Sequence, residues 1–254
     1  MTKTIVFSNQ KGGVGKTTCT REIGIYLSDS GFKVLLIDCD PQGNLSKSLV
    51  DVPGFGLYEA LTGQPYELEY VKENLWLLSG GVKLAVLEKS LIGELDAYTR
   101  MRDLFDGDPG FSESIDFILI DSPPSLGVLT GNALTASGWL IIPMNPSLYS
   151  MQGTNDLMAT FAKVRKNFNP SLSLLGVIVN AFDSVPVITR QIYGEIREAF
   201  GEKVFSSVLS KSIKVEEAIA SKTGVSGRKG TRPPKIAGEV KAIGEELLLR
   251  LNLA

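Results

Sequence analysis

Along the chain, short and nearly continuous apolar runs alternate with stretches in which apolar residues recur at helical spacing. The runs Thr4–Ser8, Val34–Asp38, Leu75–Leu78, Phe117–Asp121, Leu140–Pro143 and Leu175–Asn180 are rich in Val, Ile and Leu. Apolar runs of this length are the mark of strands buried on both faces. Between them, Thr18–Ser30, Lys83–Phe105, Ser150–Phe168 and Thr189–Phe200 read as amphipathic helices. Strand and helix in alternation predict an α/β fold, a mostly parallel twisted sheet with helices on both faces. No repeat or long linker divides the chain, so residues 1–254 are expected to form a single domain. The one low-complexity stretch, Gly224–Lys235 (GVSGRKGTRPPK), reads as an exposed basic loop.

Composition narrows the chemistry. The sequence contains no histidine, which excludes His general bases, His-dependent triads and His-ligated metals. Catalysis must come from carboxylates, lysines, backbone amides and a bound metal. Cys19 and Cys39 are the only cysteines, too few for a disulfide framework and expected to be free thiols of a cytoplasmic protein. No apolar run approaches the length of a membrane span. The first strand begins almost at the start of the sequence, so no signal peptide is expected. Net charge is −2, unevenly spread: residues 1–200 carry 16 Lys and Arg against 22 Asp and Glu, residues 201–254 carry 10 against 6. That reversal fits either a variable tail or, over about residues 203–241, a basic face for an acidic partner.

The sharpest signal follows the first strand: Asn9-Gln10-Lys11-Gly12-Gly13-Val14-Gly15-Lys16-Thr17-Thr18. Three glycines let the backbone curl so that its N–H groups face a phosphate. Lys16 is placed for the outer phosphates, Thr17 for Mg²⁺, and the following helix adds its positive end. The usual spelling of such a loop has glycine at position 10, where this chain has glutamine, and Lys11 is a surplus lysine within the loop. The second strand ends in Ile37-Asp38-Cys39-Asp40-Pro41-Gln42-Gly43-Asn44, beside the phosphate loop in a parallel sheet. Two aspartates there make sense if Mg²⁺ lies between them and the phosphates, or if one positions water. Phe117-Ile118-Leu119-Ile120-Asp121 is an apolar run closing on a carboxylate, the form of a strand that presents Asp121 to Mg²⁺.

KGGVGKTT resembles the deviant Walker A loop of the ParA/MinD superfamily of P-loop NTPases. From Lys3 to about Ala220 the likeness keeps motif order, and it is nearest the small Soj-like ParA partition ATPases. The resemblance implies ATP and Mg²⁺ as cofactors, with Lys11, Gly12, Gly13, Val14, Gly15, Lys16, Thr17 and Thr18 around the phosphates. It implies Asn180 at the adenine, and Thr17, Asp38 and Asp121 at the metal. Asp40 would orient the attacking water, and Lys11 would reach the partner's nucleotide across an ATP-sandwich homodimer, as an arginine finger does. Val208-Leu209-Ser210-Lys211-Ser212 is similar to the stretch lining the base, although many relatives have proline at Ser210.

Within that group, an iron-protein reading needs cluster-ligating cysteines, and neither Cys19 nor Cys39 matches. A MinD-like reading needs a membrane-seeking C-terminal helix. Gly238–Leu251 has an apolar face, but Glu239, Glu245 and Glu246 disfavour an anionic membrane, and a helix docked on the domain is expected. The partition reading implies weak basal ATP hydrolysis, non-specific duplex DNA as a partner, nucleoid association and a ParB-like adaptor. Candidate DNA contacts are Arg190, Arg197, Lys203, Lys211, Lys214, Lys222, Arg228, Lys229, Arg232 and Lys235. A membrane-cycling or cargo-positioning ATPase is the alternative.

Overall fold

In the computed structural model, the residues described are 2–147, 152–183, 185, 187–226 and 233–253. The order of elements is β1 (Lys3–Phe7), α1 (Lys16–Asp29), β2 (Val34–Asp38), α2 (Asn44–Leu49), α3 (Leu57–Leu61), β3 (Glu69–Lys72), β4 (Leu75–Leu78), α4 (Lys83–Ser90), α5 (Arg100–Gly107) and α6 (Pro109–Glu113). Then follow β5 (Phe117–Asp121), α7 (Val128–Ala136), β6 (Trp139–Met144), α8 (Gln152–Asn167), β7 (Ser173–Val179), α9 (Val187–Phe200), α10 (Ile213–Ala220) and α11 (Lys235–Arg250). The strands form one seven-stranded sheet in the order β3-β4-β2-β5-β1-β6-β7. All neighbours are parallel except β3 and β4.

Alternation along the strands sends successive side chains to opposite faces, and each face has its own core. Val6, Leu35, Ile37, Ile118, Ile120 and Ile142 pack under Leu57, Leu84, Met101, Leu129, Leu157 and Ile192 of α3, α4, α5, α7, α8 and α9. Ile5, Phe7, Leu36, Leu119 and Ile141 pack under Ile23, Leu45, Ala218 and Val240 of α1, α2, α10 and α11. Both faces of the sheet are therefore covered, as the apolar strands require.

Two elements depart from the sequence pattern. β3 carries no apolar run; it is an edge strand of half-exposed and exposed residues. It pairs back on β4 through the Glu73-Asn74 turn, where Asn74 takes the left-handed conformation at φ 59° that a tight hairpin needs. The stretch Lys83–Phe105 is two helices rather than one. α4 stops at Ser90, and the segment before α5 holds Gly93 at φ 93°, which cannot continue a helix.

α11 lies on the domain. Ile236, Val240, Ile243 and Leu247 are buried in the second core. Gly244 brings the helix against Tyr26 of α1, so close that a Cβ would fall 2.2 Å from Tyr26 Cδ1. Arg250 closes the contact by donating to the carbonyls of Leu175, Glu202, Lys203 and Val204 at 2.9–3.1 Å. Its guanidinium also lies 4.3 Å from the centre of the Phe205 ring.

Candidate functional site

Sheet register assembles the site. Phe7, the last residue of β1, stands beside Asp121 of β5, and Asp121 stands beside Asp38 of β2. The phosphate loop, the Asp38–Asp40 turn and Asp121 thus share the carboxyl edge of three adjacent strands. This edge is where β6 and β7 add on the opposite side of β1 from β2, the crevice in which open α/β sheets bind ligands.

The loop is shaped by asparagines around it. Gly13 and Gly15 take left-handed φ values of 71° and 91°. Asn145 donates to the Gly13 carbonyl at 2.9 Å and Asn180 to the Val14 carbonyl at 3.0 Å. Asn9, fully buried, accepts from Lys11 N at 3.0 Å and donates to the Pro143 carbonyl at 2.8 Å. Bonding these carbonyls to the asparagines leaves the loop's N–H groups for a phosphate, as a phosphate cradle requires. A Cβ on Gly15 would fall 2.0 Å from Asn180 Nδ2, so this contact requires glycine.

Lys16 is buried and donates to the Lys11 carbonyl at 3.4 Å. Burial pushes its ammonium down from the usual lysine range, and the charges of Asp121 and Asp40 oppose that fall. Thr17 donates its hydroxyl to Asp121 Oδ2 at 2.6 Å. Burial first, then repulsion from Asp38, pushes the Asp121 carboxyl well above its usual range, and its Oδ1 has no hydrogen-bond partner. A fully buried carboxylate with one orphaned oxygen, held by a threonine hydroxyl beside a phosphate cradle, is a donor set that fits Mg²⁺.

Asp38 is used differently. Its Oδ2 accepts from Ser46 N at 2.8 Å and Ser46 Oγ at 2.7 Å, and its Oδ1 from Asp40 N at 3.2 Å. Both oxygens hold the turn from Asp40 into α2; burial raises this carboxyl to about 6. Asp40 is almost fully buried, with Oδ1 accepting from Gln42 N at 2.9 Å. A cavity of about 450 Å³ opens beside this turn, lined by Gln42, Lys47, Tyr58 and Lys83.

Lys11 is half-buried, and its ammonium donates to Ser147 Oγ at 2.7 Å. On the far side of the loop, Phe182 pairs with Ser210, and Phe182 N donates to the Leu209 carbonyl at 2.9 Å. Val208–Ser212 therefore runs beside Asn180 and Phe182. Ser210 is bound twice by Glu239 of α11, its N–H at 2.8 Å and its hydroxyl at 2.6 Å. A proline there would lose both bonds. Asn145 and Ser147, which only the folded chain brings to the loop, carry no mark in the sequence beyond following a strand.

The cations are dispersed. Arg190 and Arg197 are exposed on α9, and Arg197 bonds the Tyr193 hydroxyl at 3.0 Å. Lys203 and Lys211 are exposed. Lys214 pairs with Glu217 at 2.8 Å, Lys235 with Glu239 at 3.2 Å, and Lys222 with Asp51. Arg228, Lys229 and Arg232 lie outside the described residues. Cys19 and Cys39 are free, fully buried and pushed up from the usual thiol range by burial.

The chain is 35% identical over 251 residues to the chromosome-partitioning ATPase Soj of Thermus thermophilus, spanning 98% of this chain and 97% of that one. The chain belongs to the ParA/Soj family of partition ATPases. The sporulation initiation inhibitor protein Soj of Bacillus subtilis is 34% identical over 226 residues, 86% of this chain and 88% of its own. An AAA domain family model matches residues 2–174. Among solved structures, the cobyrinic acid a,c-diamide synthase of Mycobacterium smegmatis, with a bound ATP analogue and magnesium, superposes with a TM-score of 0.85 at 28% identity, covering 99% of this chain and 96% of that one. A plasmid partition protein of Borrelia burgdorferi, bound to AMPPNP, shares the fold at TM-score 0.81 and 23% identity, covering 99% and 100%. The ParA/Soj assignment and the α/β fold expected from the sequence are thus both met.

Proposed function

We propose that this ParA/Soj-family protein binds ATP with Mg²⁺, closes over it as a homodimer, hydrolyses it slowly and binds duplex DNA without sequence preference. A ParB-like adaptor would stimulate turnover and link the cycle to segregation of plasmid or chromosomal DNA. The observation that carries the reading is the division of labour between two lysines of one loop. Lys16 is buried beside Asp121 and Thr17, whereas the half-buried Lys11 ammonium is bound to Ser147. A second cation, engaged apart from the Lys16–Asp121 pair, is suited to a partner's nucleotide, where it offsets charge that develops on the transferred phosphoryl group.

In this scheme Thr17 and Asp121 hold Mg²⁺, which when bound neutralises phosphate charge. Lys16 and the loop amides hold the outer phosphates, and Asp40 orients the attacking water. Asp38 acts by fixing the turn that carries Asp40. Asn180 supports the loop backbone and borders the base. One observation weighs against a membrane surface as the partner: the apolar face of α11 is packed in the core. Co-sedimentation with random-sequence duplex DNA and with anionic liposomes, each with ATP and Mg²⁺, tests the proposal. ATP-dependent pelleting with DNA is expected, and liposome binding without DNA binding overturns it.

A further inference from the structure

Among the described residues, the largest fully buried side chain is an arginine. Arg21 lies on α1, one turn beyond the phosphate loop, and pairs with its neighbour Glu22. One nitrogen of its guanidinium, Nη2, faces carbonyls of two distant elements: Ala218 of α10 at 3.3 Å and Thr223 in the turn after it at 2.8 Å, and Ser48, in the last turn of α2, at 3.5 Å. Glu22 in turn accepts from Val225 N at 2.9 Å. An ion pair nearer the surface, Lys222 with Asp51, joins the segments that follow the same two helices. Burial pushes Arg21 down and Glu22 up from their usual ranges, so neither charge is comfortable without the other.

Packing alone does not explain this pair. A buried ion pair replaced by apolar side chains of similar volume is often neutral or stabilising. What apolar side chains cannot do is hold carbonyls from both elements at one point of α1. One of those elements, α2, is capped by Gly43, three residues after Asp40, and its Ser46 is held by Asp38. The other, α10, carries Lys214, and Lys222 lies in the turn after it.

We propose that Arg21, paired with Glu22, is a positioning residue that couples the Asp40 turn to residues 213–226, so that nucleotide state at the phosphate loop sets the placement of the basic segment. The inference rests on the ATP-dependent cycle proposed above. α1 supplies a rigid strut, α2 the element that responds to nucleotide, and α10 with its following turn the element that is moved.

The test compares wild type with Arg21→Met/Glu22→Gln, which removes both charges together and keeps an acceptor for Val225 N. ATP affinity, thermal midpoint, amide hydrogen exchange in 213–226, and affinity for random duplex DNA are measured with and without ATP and Mg²⁺. In wild type, ATP is expected to change exchange in 213–226. The variant should keep ATP affinity but lose that change, with about a tenfold loss of ATP-dependent DNA affinity. If the double variant does not fold, Arg21→Lys keeps the ion pair with fewer carbonyl bonds and should lose part of the coupling. An exchange response equal to wild type in the folded variant overturns the proposal, as does a wild type that binds ATP without any exchange response in 213–226. A wild type that binds no ATP removes the proposed function itself. One that responds in exchange but binds no DNA removes only the DNA reading.

Discussion

At the carboxyl edge of β1, β2 and β5, the polar groups are held by specific bonds, Thr17 on Asp121, Ser46 on Asp38, Asn145 and Asn180 on the loop carbonyls, and Asp121 Oδ1 alone of the aspartate oxygens named above is left open. Between α9 and α11 the cations lie on the surface, and Lys214, Lys222 and Lys235 are engaged with the protein's own carboxylates. The first region is built by strand register and burial, which tolerate few alternatives. The second depends on the sum of charges that water and salt already screen. Chemistry that needs geometry should therefore fail sharply on single substitutions, whereas binding that needs only charge should fail by degrees.

The largest effect belongs to Lys16. Lys16→Ala removes the buried cation facing Asp121 and Asp40. A bond to a charged group is worth up to about 3 kcal/mol, so ATP affinity should fall on the order of a hundredfold. Hydrolysis should drop to background. Titration with a fluorescent ATP analogue reads it, and near-normal affinity breaks the assignment of the loop.

Asp40→Ala should lower hydrolysis by about a hundredfold, in the range of a lost water-orienting base. ATP affinity and the ATP dimer should survive, because Asp40 bonds Gln42 N and not the loop. Phosphate release and light scattering with ATP separate the two quantities. A variant that no longer binds ATP would move Asp40 to the nucleotide or metal.

Lys11→Ala sharpens the contrast between the two lysines. Monomer ATP affinity should hold, while the ATP dimer weakens by about tenfold and hydrolysis falls with it. Sedimentation velocity with ATP and Mg²⁺ decides it; an unchanged dimer with normal turnover removes the role in trans.

The same contrast explains what could be read before folding. Continuous apolar runs such as Phe117–Asp121 announce buried strands, and β5 has those bounds. β3 was hidden because an edge strand of Glu69-Tyr70-Val71-Lys72 needs no apolar face. Lys16, Thr17 and Asp121 were visible because their spacing follows strand ends. Asn145 and Ser147 were not, since they reach the loop only when β6 is laid beside β1. The roles of Asp38 and Arg21 also needed the fold: each depends on which carbonyls and amides lie within reach. Charge reversal after residue 200 is plain in the sequence, but ion pairing, which decides how much of that charge a partner meets, is not.

The smallest effect lies inside the basic region, and it asks whether pairing matters there. Lys211 is exposed on the segment beside Phe182, with no ion pair among the described residues, whereas Lys214 is held by Glu217 through two contacts of 2.8 and 3.1 Å. A phosphate contact releases counterions only if the cation is free to give its charge to DNA. Breaking the Lys214–Glu217 pair first costs part of the gain and leaves a carboxylate facing the duplex. Lys211→Ala should therefore weaken ATP-dependent DNA binding equally on all sequences and lower the slope of log affinity against log salt by about one. Lys214→Ala should change that slope by much less, and Glu217→Gln, which frees Lys214, should steepen it. Anisotropy titrations of labelled duplex across a salt series, with ATP affinity as the control, give all three slopes. Equal losses for Lys211→Ala and Lys214→Ala would mean that ion pairing in this region is irrelevant to DNA, and the contrast between a built site and a summed charge would have to be redrawn from position alone.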